Sequence, residues 1–195
     1  MNASIEALIQ KISRLPGLGP RSARRIVLHL IKNREQILEP VLLGMKDIHE
    51  NVKICPVCSN IDIFSGRCSI CSDNKRSRDV ICIVENVSDL WAIERTSCFN
   101  GQYHVLRGLL SSIEGRGPEV LMLDRLKERC AEEHVVEIIV ALSATVEGQT
   151  TGHYIKNFFK DLDIKITFLA HGIPIGGELD YLDDGTLFTA FSARG

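Results

Sequence analysis

Apolar positions recur at helical spacing over the first quarter of the chain and in short unbroken runs further on. Ile5, Leu8, Ile9, Ile12 and Leu15 form one helical stripe, with Ser4 placed to cap it. A second helix is predicted from Pro20, a residue suited to the first helical position. Its apolar face is Ala23, Ile26, Val27, Leu30 and Ile31. A third follows Pro40, with Val41, Leu42, Met45, Ile48 and Val52 expected on its buried side. After a polar joint over 73–78 the pattern changes. Residues 80–84 are a continuous apolar run, the mark of a strand buried on both faces. Val135-Val136 with 138–142, and then 164–169, are two more such runs. Helical stretches fall between them, around 89–95, 120–132 and 152–161. This alternation predicts an α/β fold, with a parallel sheet carrying helices on its faces. Beyond it, glycine-rich turns lead to a short terminal helix at about 184–193, whose exposed apolar residues would serve oligomer contacts.

Composition adds little until it is divided. The 195 residues are 45% apolar, ordinary for a globular protein of one or two small domains. The net charge of −2 hides an asymmetry. Residues 1–46 hold eight Lys/Arg and three Asp/Glu, which leaves fifteen basic and twenty-two acidic residues for 47–195. A basic, anion-binding module is thus expected on an acidic body. The chain shows no signal peptide and no apolar run near 18 residues, so a soluble protein of the reducing cytoplasm is expected, with no membrane partner. The predicted domains are 1–52, 53–77, 78–174 and 175–195.

Chemistry concentrates in three places. The first is Cys55-Pro56-Val57-Cys58, nine residues, then Cys68-Ser69-Ile70-Cys71. Two Cys-x-x-Cys pairs place four thiolates at the corners of a tetrahedron, the geometry of a structural zinc. Two disulfides or coincidental thiols are the alternatives. With every position taken by sulfur no site remains for a catalytic water. Residues 53–75 have too few apolar side chains to hold a shape alone, so one zinc ion and local folding are expected together. Of the remaining cysteines, Cys82 reads as a strand core residue, and Cys98 and Cys130 have no metal-binding pattern around them.

The second is Leu15-Pro16-Gly17-Leu18-Gly19-Pro20, followed by Arg21, Arg24 and Arg25. Gly17 and Gly19 permit a tight turn with bare backbone N–H groups beside a helix N-terminus, an anion cradle. Arg21 and Arg25, four apart, share a face and reach successive phosphates. The stretch resembles a helix-hairpin-helix, the motif by which many repair proteins grip DNA backbones without reading sequence. An ordinary helical hairpin with a solvated basic face is the alternative, and His29 reads as a plain surface histidine.

The third is a pair of carboxylates at strand ends, Glu85 after 80–84 and Glu147 after 138–142, where function gathers in parallel sheets. The arrangement resembles a Toprim domain, shared by topoisomerases, bacterial primases and certain nucleases. In its catalytic members the first glutamate handles protons and a later Asp-x-Asp holds magnesium. Those Asp positions here are Ser143 and Thr145. Hydroxyls do not replace carboxylates toward a hard divalent cation, so the pattern argues against an enzyme. Glu85 and Glu147 are then partner-facing acids or hydrogen-bonded loop carboxylates. The other histidines, His104, His134, His153 and His171, are scattered and support no nucleophilic constellation.

A helix-hairpin-helix, a four-cysteine finger, a Toprim sheet and a tail reading Gly-x-Pro-x-Gly-Gly-x-Leu-x-Tyr-x-Asp resemble, in that order, the bacterial recombination mediator family RecR. The matching stretches are 15–30, 55–71, 83–86, 145–148 and 172–187. The resemblance implies a non-enzymatic DNA clamp that acts with RecO, and sometimes RecF, to load recombinase on gapped or single-stranded DNA. It implies a ring-like homotetramer around DNA, DNA contacts at Arg21 and Arg25, and a RecO-facing acid at Glu147. The sequence departs from the family where it has Ser143-Ala144, Gln149 and His171. A magnesium-dependent Toprim nuclease or primase-like enzyme, and a protein adaptor that does not touch DNA, are the competing functions.

Overall fold

The structure is a computed structural model that describes residues 2–170, 172–173 and 176–192. His171, Pro174 and the end of the predicted terminal helix at Ala193 lie outside the described residues. The chain divides into two compact units, residues 1–52 and 53–195.

The first unit is helical. Helix α1 spans Ala3–Ile12 and is capped by Asn2, whose side chain accepts from the Ser4 N–H at 2.9 Å. The expected cap, Ser4, lies inside the helix, because the extended backbone at Asn2 presents its amide oxygen to an unsatisfied first-turn N–H. Helix α2, Pro20–Lys32, starts at the predicted proline. Ile9, Ala23 and Val27 are buried between the two helices, with Ile5 and Ile12 packed around them. A π-helical turn, Arg34–Leu38, leads into α3, Glu39–Asn51. The third helix forms as expected, but its apolar stripe is not buried. Leu43 is 69% exposed, and Met45 and Ile48 are each 61% exposed. Periodicity specifies that a stripe exists; burial also needs an opposing surface, and the described residues of the first unit supply none that covers it.

From the boundary at residue 52 onward, a two-stranded ribbon, β1 (Val52–Ile54) with β2 (Ile61–Ile63), and a single helical turn, α4 (Ser69–Ser72), carry the cysteines. There follow β3 (Val80–Val84), α5 (Val87–Thr96), β4 (Gln102–Val105), α6 (Leu123–Glu132), β5 (Glu137–Ala141), α7 (Val146–Phe158), β6 (Lys165–Phe168) and α8 (Asp184–Ser192). The sheet is parallel in the order β4-β3-β5-β6, with Val84 opposite Ala141. One face is built on Ile81, Ile83, Leu126, Ile138, Ile155 and Phe159, the other on Cys82, Val84, Leu90, Tyr103 and Val105. The predicted α/β sheet is therefore present.

Three details differ from the sequence reading. β4 carries Gln102 and His104, so it shows no apolar run. The stretch expected as a helix from 120 opens with a 3-10 turn, Pro118–Leu121, and α6 begins only after Met122, which has φ +50°. Helix α7 begins six residues before 152, capped by Thr145, whose hydroxyl accepts from the Gly148 N–H at 3.1 Å. Its polar first turns mask it in the sequence. Two glycines there answer close packing: a Cβ at Gly148 would lie 2.0 Å from the Ser143 carbonyl oxygen, and one at Gly152 would lie 2.8 Å from the Phe168 ring.

Candidate metal centre and nucleic-acid interface

Cys55 and Cys58 sit in the turn between β1 and β2; Cys68 precedes α4 and Cys71 lies within it. Backbone bonds shape both knuckles. The Cys55 N–H donates to the Asn60 carbonyl at 2.7 Å, the Ser59 N–H to Cys55 at 3.0 Å, and the Ser72 N–H to Cys68 at 3.0 Å. The Asp62 carboxylate ties β2 to α4 by accepting from the Ser69 N–H at 2.9 Å and the Ser69 hydroxyl at 2.7 Å, which holds Asp62 below the usual carboxylate range.

All four sulfurs are buried and lie within 4.8 Å of one another. Cys58 and Cys68 are 3.5 Å apart and Cys55 and Cys71 are 4.0 Å apart. A tetrahedron of thiolates around zinc, with bonds of about 2.3 Å, puts its sulfurs roughly 3.8 Å from each other. The observed spacing fits. The contact between the two sulfurs lowers Cys68, while that same contact, the neighbouring Cys71 and burial push the Cys58 thiol up. Four buried thiolates coexist only where a metal neutralises them.

At the helical hairpin, Gly17 has φ +75°, a left-handed conformation open to glycine without strain. Gly19 is different. Its φ of −86° suits any residue, and a Cβ there would meet nothing within 4 Å. Internal packing does not require glycine at 19; a group approaching the N-terminus of α2 from outside would. No side chain caps that terminus, and Pro20 occupies the first helical position. Arg21, Arg24 and Arg25 are exposed, and among the described residues none of them makes an ion pair.

Glu85 follows β3, and Glu147 lies in the first turn of α7 after β5, so the acids crown the two central, adjacent strands and are half-buried. At the positions of the catalytic Asp-x-Asp, Ser143 Oγ and Thr145 Oγ1 are 3.0 Å apart and bonded to each other, and Thr145 is committed to capping α7. Among the described residues, the four cysteines are the only group of three or more His, Cys, Asp or Glu side chains close enough to hold a metal. Ser143 and Gln149 line an apolar cavity of ≈ 230 Å³ with Val140, Leu142, Gly148, His153 and Phe168. Gln149 Nε2 donates to the Ala144 carbonyl at 3.4 Å.

Fold and site define a modular protein: a basic helical hairpin, a four-sulfur cluster and a Toprim-type sheet. Residues 79–170 match the family described as Toprim domain, residues 5–39 match RecR, helix-hairpin-helix, and residues 172–194 match RecR, C-terminal. The Recombination protein RecR of Rhodospirillum rubrum is 54% identical over 190 residues, covering 97% of this chain and 96% of its own. That of Sinorhizobium fredii is 52% identical and that of Allorhizobium ampelinum 54%, each over 97% of this chain and 94% of the relative. The chain belongs to the RecR family.

Proposed function

We propose that this protein is a non-enzymatic DNA-binding clamp and adaptor of recombinational DNA repair. It works with RecO, and sometimes with RecF, to load recombinase on gapped or single-stranded DNA. The observation that carries the reading is the uncapped N-terminus of α2, with Gly17 and Gly19 before it and, in its first turns, three exposed arginines that make no ion pair among the described residues. Backbone N–H groups and guanidinium groups together bind phosphates without base information. Recombination is the role printed in the names of the relatives.

Cys55, Cys58, Cys68 and Cys71 hold one structural zinc, which four-sulfur ligation leaves without an open position. Glu85 and Glu147 face protein partners, Glu147 toward RecO. Exposed Leu42, Leu43, Met45 and Ile48 on α3 favour a homo-oligomer, a ring-like tetramer with the hairpin arginines lining its hole. The modules are 1–52, 53–77, 78–174 and 175–195. No helix among the described residues is long and apolar enough to cross a membrane, and the protein acts in the cytoplasm. A magnesium-dependent Toprim nuclease has its ligand positions filled by Ser143 and Thr145.

Fluorescence anisotropy on gapped DNA across a salt series tests the grip. Each phosphate contact contributes about −0.9 to the slope of log affinity against log salt, so Arg21→Ala/Arg25→Ala should make the slope shallower by about 1.8. Equal slopes would remove the hairpin from the interface. Magnesium-dependent nicking of plasmid by pure protein would overturn the non-enzymatic reading.

A further inference from the structure

β4 lies at the edge of the sheet, yet all four of its residues are buried. An edge strand offers a row of unpaired backbone groups that a folded protein must cover or disrupt. Three such groups, two residues apart and so directed to the same side, each have a partner. The Gly101 carbonyl accepts from Arg76 Nη1 at 2.9 Å, and the Tyr103 carbonyl accepts from Arg129 Nη1 at 2.8 Å. The Val105 N–H donates to the Cys58 carbonyl at 2.8 Å. Arg125 of α6 donates to the adjacent Pro56 carbonyl. Cys58 thus belongs to two structures: its sulfur stands 3.5 Å from Cys68, and its carbonyl closes the strand.

The closure has an opposing bias. Among the described residues, Gln102 Oε1 and Nε2, His104 Nδ1 and Asn60 Oδ1 are buried there without hydrogen-bond partners. Buried groups of this kind regain water when the strand opens. The knuckle that resists opening has little apolar packing of its own: among the described residues Val57, Phe64 and Ile70, each partly buried, surround the four cysteines. Its order depends on a bridge among the sulfurs.

We propose that the four-cysteine knuckle is a metal-dependent latch on the outer edge of the Toprim sheet. Ligation at Cys55, Cys58, Cys68 and Cys71 fixes the Pro56 and Cys58 carbonyls against Arg125 and β4; loss of the ion releases β4 and α6. This rests on the metal reading above and not on DNA binding. The coupling is reciprocal, so loosening the latch also loosens the hold on the ion.

Amide hydrogen exchange on the full-length, zinc-loaded protein, before and after a chelator, is the test. Peptides covering 102–105 and 123–132 should exchange roughly tenfold faster once the metal is removed, while those from α1 and α2 stay unchanged. Acceleration confined to 53–72 would overturn the latch. Should chelation unfold the whole second unit, Arg125→Gln decides, since it keeps every cysteine and removes one latch bond from an exposed side chain. Zinc release from that variant to a colorimetric chelator should be roughly fivefold faster, and an unchanged rate overturns the proposal. Purified protein without zinc would overturn the metal reading and the latch together.

Discussion

At the scale of single residues, two glycines two positions apart do different work. Gly17 is required by its own backbone, at φ +75°, whereas Gly19 is required by nothing inside the protein. Gly17→Ala should therefore cost about 1 kcal/mol in a denaturant titration. Gly19→Ala should leave the denaturation midpoint alone and weaken DNA binding, because its added methyl intrudes only on a ligand. His104 supports a second residue-scale prediction. Burial, then the charges of Arg129 and Arg125, push it down to about 4 from an ordinary 6.5, although it donates to the Leu121 carbonyl. The folded state thus holds the neutral ring. The unfolded chain takes up a proton below about pH 6.5, so stability falls as pH drops from there toward 4 and levels off below. The loss approaches about 3 kcal/mol. Urea midpoints at several pH values, compared with His104→Gln, check this: the variant should lack that component of the slope.

At the scale of elements, periodicity located most of the helices and three of the four sheet strands. It missed β4 because an edge strand covered by arginines and a cysteine knuckle tolerates Gln102 and His104 inside. It delayed α7 because glycine and threonine in its first turns carry no apolar stripe; their spacing is instead dictated by Ser143 and Phe168 pressing on the helix. Helix α3 is the reverse case, a readable stripe left in solvent. Fully burying a side chain of this size is worth about 1.5–3 kcal/mol, and a row of them left exposed favours self-association. Leu42→Glu/Met45→Glu should lower the assembly's mass in light scattering while leaving the helical circular dichroism intact. An unchanged mass would take α3 out of the subunit contact.

At the scale of the whole molecule, the order of modules and the division of charge follow from the sequence by itself. So do the four cysteines that come together in one cluster and the hydroxyl residues, Ser143 and Thr145, that follow β5. Each is a local property: a spacing of cysteines, a turn between helices, a residue type at a strand end. Tertiary structure alone decided how those pieces depend on one another. It placed the Cys58 carbonyl on Val105 and the Arg129 guanidinium on Tyr103, partners 47 and 26 residues apart in the chain. It bonded the Ser143 hydroxyl to the Thr145 hydroxyl that caps α7, and left the apolar stripe of α3 exposed. Such contacts form between backbone groups that every residue carries and between residues remote in sequence. Spacing and composition record neither, because both act along the chain, whereas burial and hydrogen bonding act across it.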